Sequence, residues 1–264
     1  MKFCFEQKDF IECQFEKNQL AVIDGNRELS WLQFETEVNN ICLFFKQNNW
    51  DKLAKPVILY GHKQAEMITV MYALMKLKIT YIPIDIIYPK QRVLTIQRLA
   101  NVDIIINCTN DGLDFENTTE IFVKPNQLII YKQQSLPVLT NELNKDPLIY
   151  IIFTSGSTGE PKGVQISTKA VQSFTKWMVN DFGFSSIDVF INIANFSFDL
   201  SVYEVMTFGA LGSTLLLNDL ETTKDSELLM QRVGKYNGTI WVSTPSFALT
   251  YARIGADNRL NSVK

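Results

Sequence analysis

The sequence predicts an α/β protein in which parallel-sheet subdomains are flanked by helices. Short apolar runs, typical of buried strands, alternate along the chain with segments whose apolar residues recur at helical spacing. Up to Asn107 the order is strand, helix, strand, helix, strand, which requires crossover connections and hence parallel pairing. The run from Leu148 to Phe153 is apolar without a break, as expected for a strand buried on both faces of a parallel sheet. With 264 residues, the chain suffices for one large α/β domain or two small ones.

The composition excludes several classes of protein. Hydrophobic residues make up 46% of the chain and charged residues 20%, which is ordinary for a globular protein with a real core. A formal charge of −3 argues against a nucleic-acid-binding surface, since such domains are usually basic. No apolar run reaches membrane-spanning length, and residues 1–10 carry acids and lysines instead of a signal-peptide core. We therefore expect a cytoplasmic protein without membrane insertion.

Cysteine and histidine usage argues against metal and nucleophile chemistry. The four cysteines show no Cys-x-x-Cys spacing, so we expect reduced thiols rather than a zinc site or a redox pair. His62 is the only histidine, and no nucleophile motif accompanies it. We expect His62 to be an ordinary surface or helix-start residue. The cysteines are Cys4, Cys13, Cys42 and Cys108.

The first half of the chain gives a clear element order. Ser30 is expected to cap a helix of roughly 17 residues, because apolar side chains recur at helical spacing after it. The other expected elements are a strand at 20–23 followed by a turn at 24–27, a strand at 56–60, a helix at 66–78, a strand at 81–85, a helix from about 90 to 100, and strands at 102–107, 121–123 and 128–131.

Residues 133–147 look like a linker, because they include two prolines and few apolar side chains. This linker predicts a first α/β subdomain at 1–140 and a second at 141–264. In the second, the expected elements after the Leu148–Phe153 strand are a helix at 168–182, a strand at 189–194, a helix at 200–211 ended by Gly212, a strand at 213–217, a helix at 226–236, a strand at 239–243 and a final helix with Pro245 at its first position.

The loop after Phe153 is rich in groups that bind phosphate. Small residues let backbone N–H groups turn towards an anion, hydroxyls donate further hydrogen bonds, and a lysine adds positive charge. A plain Gly/Ser surface turn is the alternative interpretation. A Walker loop does not fit, because Pro161-Lys162-Gly163 stands where Gly-Lys-Ser/Thr is needed, which disfavours a GTPase or kinase. The candidate ATP-binding residues are Thr154, Ser155, Gly156, Ser157, Thr158, Gly159 and Lys162.

The segment from Thr154 to Val164 resembles the signature loop of the adenylate-forming ligases, the acyl- and aminoacyl-AMP synthetases. Residues 76–85 are also similar to a structural motif of these ligases, in which a glycine-containing turn is usual where Lys78-Ile79-Thr80 stands. The resemblance implies that the loop residues contact the triphosphate of ATP.

Asp199 is the second candidate. As the residue before an apolar helix it suits an N-cap, and as a carboxylate among apolar side chains, with little competing water, it suits an ammonium ligand. The residues alone leave both interpretations open. In amino-acid-activating members of the family an aspartate in this aromatic-Asp-x-Ser context binds the α-amino group, so the resemblance implies that Asp199 binds substrate and that Phe198 helps to close the site.

Three segments are most similar to the branch of the family that activates D-alanine for transfer to a carrier protein: residues 81–85, 196–202 and 241–247. The resemblance implies that the amino-acid carboxylate attacks the α-phosphorus of ATP, that Mg²⁺ assists, and that pyrophosphate leaves. The aminoacyl group then passes to the thiol of a phosphopantetheinylated carrier protein.

Members of the family are longer than this chain, and the resemblance implies that it corresponds to their N-terminal core. The nucleoside-binding segment, its magnesium-binding glutamate and the catalytic lysine would then lie beyond residue 264. We therefore expect no catalytic residue and no metal ligand in this part, and an inactive fragment when it is isolated. The alternative is a catalytically incompetent module that keeps the fold and binds ATP or a partner.

Overall fold

The computed structural model describes residues 16–25, 27–125, 127–132, 146–155, 160–253 and 263. Within these ranges the strands are β1 (Leu20–Ile23), β2 (Glu28–Ser30), β3 (Val57–Gly61), β4 (Tyr81–Asp85), β5 (Ile104–Asn107), β6 (Thr119–Lys124), β7 (Gln127–Lys132), β8 (Leu148–Ser155), β9 (Pro161–Ser167), β10 (Val189–Asn192), β11 (Thr214–Leu217) and β12 (Ile240–Trp241). The helices are α1 (Trp31–Gln47), α2 (Ala65–Leu77), α3 (Lys90–Leu99), α4 (Thr168–Asp181), α5 (Val202–Leu211), α6 (Leu220–Lys224), α7 (Ser226–Lys235) and α8 (Pro245–Arg253), with a 3-10 turn at Asp199–Ser201 before α5.

The chain divides into two compact units, each with its own sheet. One comprises Glu35–Ser173, and the other comprises Met1–Phe34 together with Phe174–Lys264. This division differs from the expected boundary at residues 140/141. Strand β1 pairs with β11, so the N-terminal segment belongs with the later strands, whereas β8 pairs with β4 and brings the phosphate loop into the earlier sheet. Strand order along the chain did not reveal these long-range pairings.

The unit of residues 35–173 contains a seven-stranded sheet in the order β7-β6-β5-β3-β4-β8-β9. The strands from β6 to β8 across this order run parallel, and the two outer strands, β7 and β9, are antiparallel to their neighbours. Branched side chains such as Ile58, Ile82 and Ile105 are buried in its core. The prediction of a parallel sheet flanked by helices is confirmed.

The other unit contains a five-stranded sheet in the order β12-β10-β11-β1-β2. Only β2, at one edge, is antiparallel to its neighbour among the described strands. Trp31 and Phe34, at the start of α1, pack with Phe208 of α5 at ring-centroid distances of 5.5 and 6.0 Å. These three fully buried rings anchor the N-terminal segment in this unit.

Each sheet has a point where successive connections leave in opposite directions. Helix α2 leads from β3 to its neighbour β4, whereas α3 leads from β4 back past β3 to β5. Likewise α5 leads from β10 to β11, whereas α6 and α7 lead from β11 back past β10 to β12. Since crossovers are right-handed, the two connections in each pair cover opposite faces of the sheet. Crevices at such points, beyond the carboxyl ends of the strands, are the usual ligand sites of open α/β sheets.

The predicted helices and strands are present, with ends shifted by a few residues, and the cap of α1 is as expected. The Ser30 hydroxyl accepts a hydrogen bond from Gln33 N at 3.3 Å, and Gln33 Oε1 accepts one from Ser30 N at 2.8 Å. This reciprocal pair is a capping box. Strand β2 and helix α6 were missed because both are too short to show a periodic pattern. The predicted linker lies outside the described residues except at 146 and 147.

Lys78 ends helix α2 in the left-handed region, with φ at 59°, and its N–H donates to Leu74 and Met75. Glycine is favoured at such a position, because a Cβ atom strains the left-handed backbone. The structure therefore keeps the glycine-type turn of the family motif with a lysine in it. No helix in the described part of the chain is long and apolar enough to cross a membrane.

Candidate functional site

The phosphate-loop strands form an antiparallel hairpin that sets a hydroxyl opposite a lysine. In the register of β8 and β9, Thr154 pairs with Lys162 and Ser155 pairs with Pro161. Directly opposite residues project from the same face of a hairpin, with Cβ atoms about 4.5–5.5 Å apart. Thr154, Ser155 and Lys162 are exposed. The predicted residues Gly156, Ser157, Thr158 and Gly159 lie between these strands, outside the described residues.

The hairpin is fixed by the sheet at its base. Ile149 to Phe153 are buried, and β8 pairs in parallel with β4 at Tyr150 and Tyr81. Gly163 lies opposite Phe153, where an added Cβ atom would stand 3.0 Å from the phenyl ring. A side chain at this position would require the Ile151 and Phe153 side chains to shift by a few tenths of an ångström, and glycine avoids this crowding between the paired strands.

A buried His–Asp pair occupies the switch point of the same sheet. His62, which follows β3, places Nδ1 2.8 Å from Oδ2 of Asp85, the last residue of β4. Their exposed fractions are 7% and 2%, so a surface position for His62 is wrong, whereas its place shortly before α2 agrees with the alternative of a helix-start residue. An ionised carboxylate only accepts hydrogen bonds, so Nδ1 carries the proton. The other oxygen, Oδ1, accepts from Ile87 N at 3.1 Å. The pair joins the connections that leave β3 and β4.

Further polar groups are buried along this carboxyl edge. Glu120 accepts hydrogen bonds from the Asn107 side-chain amide at 2.6 Å and from Leu113 N at 3.0 Å. Burial raises the pKa of the nearby Tyr60 phenol, and the charges of Asp85, Asp111 and Glu120 raise this pKa further. Tyr60 is therefore a neutral hydrogen-bonding group at physiological pH.

Asp199 lies at the switch point of the five-stranded sheet, on the connection between β10 and α5. It is the first residue of the 3-10 turn, and Phe198 holds the N-cap position without a side-chain cap hydrogen bond. Within the described ranges, no hydrogen bond or ion pair involves the Asp199 carboxylate. The structure thus does not support the helix-cap interpretation. Asp199 and Phe198 are both exposed, Phe198 at 54%, so the expected desolvation of the carboxylate was wrong.

Aromatic residues near the start of α5 pack against one another. Tyr203 follows Asp199 by four residues, and its ring packs edge-on against Phe174 at a ring-centroid distance of 4.8 Å. The rings of Phe174 and Trp177 have centroids 5.9 Å apart. A carboxylate without a partner among the described residues, followed by an aromatic cluster, suits an organic cation with an apolar side chain.

The two groups of predicted site residues belong to different units. The hairpin with Thr154 and Lys162 belongs to the unit of Glu35–Ser173, and Asp199 and Phe198 belong to the other. Among the described residues, no group of three or more His, Cys, Asp or Glu side chains is arranged to hold a metal ion.

Sequence reasoning missed the buried polar residues at the switch points. The signal was available, because a polar residue ends or follows several of the apolar strands. These residues are His62 after β3, Asp85 at the end of β4, Asn107 at the end of β5, Asn192 at the end of β10 and Asn218 after β11.

Comparison with known proteins agrees with this architecture. A family model described as AMP-binding enzyme matches residues 12–264. The D-alanine–D-alanyl carrier protein ligase of Staphylococcus epidermidis is 35% identical over 234 residues, and that of Bacillus licheniformis is 36% identical over 237 residues. Each match covers 89% of this chain and 46% of the relative, so the chain spans less than half the length of these relatives.

Solved structures share the fold at low sequence identity. CmiS6 matches with a TM-score of 0.82 and 18% identity over 92% of this chain and 60% of that one. The AMPPNP-bound form of the nonribosomal peptide synthetase FmoA3 matches with a TM-score of 0.78 and 22% identity, over 93% of this chain and 26% of that one. The AMP complex of the O-succinylbenzoate coenzyme A synthetase MenE from Bacillus subtilis matches with a TM-score of 0.76 and 10% identity, over 93% of this chain and 63% of that one.

Proposed function

The chain belongs to the AMP-binding enzyme family, and from that premise we propose that it serves the ATP-dependent activation of a small amino acid, D-alanine first, for transfer to a carrier-protein thiol. The observation that carries the proposal is the pairing of Thr154 with Lys162 on the exposed face of a hairpin at the carboxyl edge of a parallel sheet. The two named relatives are ligases that act on D-alanine and a D-alanyl carrier protein, and they support the choice of substrate and partner.

In this proposal the hairpin binds the triphosphate of ATP. Lys162 supplies a full positive charge and Thr154 a hydroxyl donor, and both act where negative charge develops as pyrophosphate leaves. Phosphoryl chemistry of this kind needs positioning and charge neutralisation more than covalent assistance from the protein. The proposed ATP contact consists of the six residues from Thr154 to Gly159 together with Lys162.

Asp199 is the proposed contact for the substrate ammonium, and Phe198 helps to close the site. A carboxylate at a sheet switch point, with no partner in the part of the chain that the structure describes, is available to a cation. The rings of Tyr203 and Phe174, which pack together near the start of α5, offer apolar surface in the same unit. The amino acid carboxylate then attacks the α-phosphorus, and the bond to pyrophosphate breaks. In the second step the carrier thiol loses its proton and attacks the acyl carbon of the aminoacyl-AMP, so that a thioester forms and AMP leaves.

Magnesium, which the family resemblance implies, is usually bound through one or two carboxylates together with substrate phosphates and water. Among the described residues, no group of three or more His, Cys, Asp or Glu side chains could hold it without the phosphates. Lys162 of the hairpin supplies positive charge beside the proposed triphosphate site.

A non-activating module that binds ATP or a partner is the second candidate function. The exposed Thr154 and Lys162 of the hairpin would suit binding of ATP without activation as well as with it. ATP–pyrophosphate exchange with a panel of small amino acids separates the candidates. Exchange that depends on D-alanine supports activation, whereas ATP binding without exchange by any amino acid, in the product of the intact gene, supports the second candidate.

A further inference from the structure

We infer that Glu204 is a positioning residue for the amino-acid site. Through Asn192, its buried carboxylate fixes the connection that carries Phe198 and Asp199. This inference rests on the proposed function, which it deepens by naming what orients the ammonium contact. Glu204 itself is fully buried and lies in the first turn of α5.

A single side-chain amide joins the start and the end of this connection. Asn192 is the last residue of β10 and is fully buried. Its Nδ2 donates to Glu204 Oε2 at 2.5 Å and to the carbonyl oxygen of Ala194 at 3.3 Å. An asparagine amide has two donor hydrogens, so these two bonds use both. The amide therefore ties α5, which follows Asp199, to the chain that leads towards it.

Further hydrogen bonds connect Asn192 to β11 and α7, on the other side of the switch point. Asn218 Nδ2 donates to the Asn192 carbonyl at 3.2 Å and to the Leu216 carbonyl at 3.1 Å. Arg232 on α7 donates from Nε to Asn218 Oδ1 at 3.1 Å and from Nη2 to the Leu217 carbonyl at 3.0 Å. A guanidinium only donates, so it fixes which end of the Asn218 amide faces Asn192. A polar chain thus runs from Arg232 to Glu204.

A buried carboxylate adds little to the stability of a fold, but its charged hydrogen bonds can fix the local geometry. Removing a charge from water is costly, and apolar side chains of similar volume often stabilise a core as well or better. The position near the N-terminus of α5 reduces this cost, because helix N–H groups favour negative charge. Within the connection, Phe198 N donates to the Asn195 carbonyl at 2.9 Å, and Ser201 Oγ donates to the Phe198 carbonyl at 2.8 Å. The bond between Asn192 and Glu204 adds a buried, charged link between the two ends of the connection that carries Asp199.

The test compares Glu204→Gln with Thr207→Val. Gln keeps the shape of Glu but removes the charge from the bond to Asn192. Thr207 lies in the same helix, is also fully buried, and its hydroxyl has no hydrogen-bond partner among the described residues, so Val changes the helix core and leaves the polar chain intact. Amide hydrogen exchange followed by mass spectrometry reports the two variants segment by segment.

We expect exchange in residues 193–201 to become on the order of tenfold faster in Glu204→Gln, as for the loss of one charged hydrogen bond, and to stay unchanged in Thr207→Val. The Michaelis constant for the amino acid should rise by a similar factor, with that for ATP changed by less than about twofold. Equal protection of 193–201 in both variants, faster exchange across the whole unit, or an equal rise of both constants would overturn the inference.

If Glu204→Gln does not fold, Arg232→Met tests the other end of the hydrogen-bonded polar chain. Met keeps the aliphatic part of the arginine side chain and removes its guanidinium group. The same segment should then exchange faster by a smaller factor, and unchanged exchange at 193–201 would overturn the inference. If the product of the intact gene shows no exchange of pyrophosphate with any amino acid, the proposed function fails. The amide-exchange comparison still decides whether Glu204 fixes the connection.

Discussion

Thr154 and Lys162 lie directly opposite each other in the β8–β9 hairpin, with both side chains exposed. One residue comes from the end of a buried parallel strand, and the other from the edge strand that returns beside it. The sheet therefore fixes a hydroxyl and an ammonium group on one face, on either side of the loop. This arrangement is what an anion such as a triphosphate requires.

Asp199→Asn should separate the capping role from the substrate role. Asn caps helices almost as well as Asp, so a capping residue would tolerate the change. We expect the melting temperature to stay within about a degree or two, because exposed substitutions usually change stability by less than about 0.5 kcal/mol. The Michaelis constant for the amino acid should rise at least about tenfold, the loss expected for a charged hydrogen bond, and that for ATP should change little.

Steady-state pyrophosphate exchange by the product of the intact gene measures both constants for Asp199→Asn. Ser197→Ala, in the same connection, is the control, and it should leave both constants close to those of the unmodified protein. An equal loss for both substrates in Asp199→Asn would argue against an ammonium contact.

Lys78→Gly should stabilise the protein. Lys78 adopts a φ of 59°, which costs a residue with a Cβ atom roughly 1–2 kcal/mol relative to glycine, and part of this gain is offset by the greater freedom of glycine in the unfolded chain. We expect a net gain of about 1 kcal/mol in the free energy of unfolding, measured by urea denaturation. Lys78→Ala, which keeps the strain and removes the same charge, should show no gain. Equal stabilities of the Gly and Ala variants would contradict the presence of backbone strain at Lys78.

Asp85→Asn should weaken the seven-stranded unit. The change removes the charge from the bond to His62 and alters the acceptor used by Ile87 N, so we expect a loss of about 1–3 kcal/mol in urea denaturation. Lys55→Met provides the contrast. It breaks the partly exposed ion pair between Lys55 and Asp103, at 2.9 Å, and should cost no more than about 1 kcal/mol. Similar losses in the free energy of unfolding for the two variants would show that the buried His62–Asp85 pair stabilises the protein no more than an exposed ion pair does.

The stability should decrease at alkaline pH because of Cys108. Burial raises the pKa of its thiol well above the ordinary value, the charge of Glu66 raises it further, and Lys124 opposes this shift. In the unfolded chain a thiol ionises near about pH 8.5, so above that pH the unfolded state binds fewer protons than the folded state. Cys108 therefore contributes fully to the free energy of unfolding below about pH 8.5, and this contribution is lost as the pH rises towards the pKa of the thiol in the folded state.

Urea denaturation at several pH values between 7 and about 9.5 measures this dependence. Cys108→Ala should show a shallower decline than the unmodified protein, by up to about 1.4 kcal/mol per pH unit above the unfolded pKa. Identical slopes for the two proteins would contradict the argument.

Local patterns in the sequence were sufficient for most of the fold. Helices α1, α5 and α8 begin or end at Ser30, Gly212 and Pro245 as predicted, because caps act within one turn. The division into units was not predictable in this way. It depends on the pairing of β1 with β11, which brings together residues nearly two hundred positions apart, for example Val22 and Leu215.

The candidate site divides in the same manner. Thr154 and Lys162 were predictable, because residue types in one short loop determine the hairpin and its charge. The exposure of Asp199, the burial of His62 and the bond from Asn192 to Glu204 depend on neighbours from other elements. Sequence spacing does not report such neighbours, although polar residues at the ends of apolar strands point to where they meet.

Calorimetry of ATP binding to Lys162→Ala tests whether the hairpin is the phosphate site. Lys176→Ala removes an equally charged, exposed lysine from α4 and serves as the control. We predict that Lys162→Ala weakens ATP binding by ~1.5–3 kcal/mol, about ten- to a hundredfold in the dissociation constant, while Lys176→Ala binds ATP as the unmodified protein does. An ATP affinity of Lys162→Ala equal to that of the unmodified protein would contradict the assignment of the hairpin as the phosphate site.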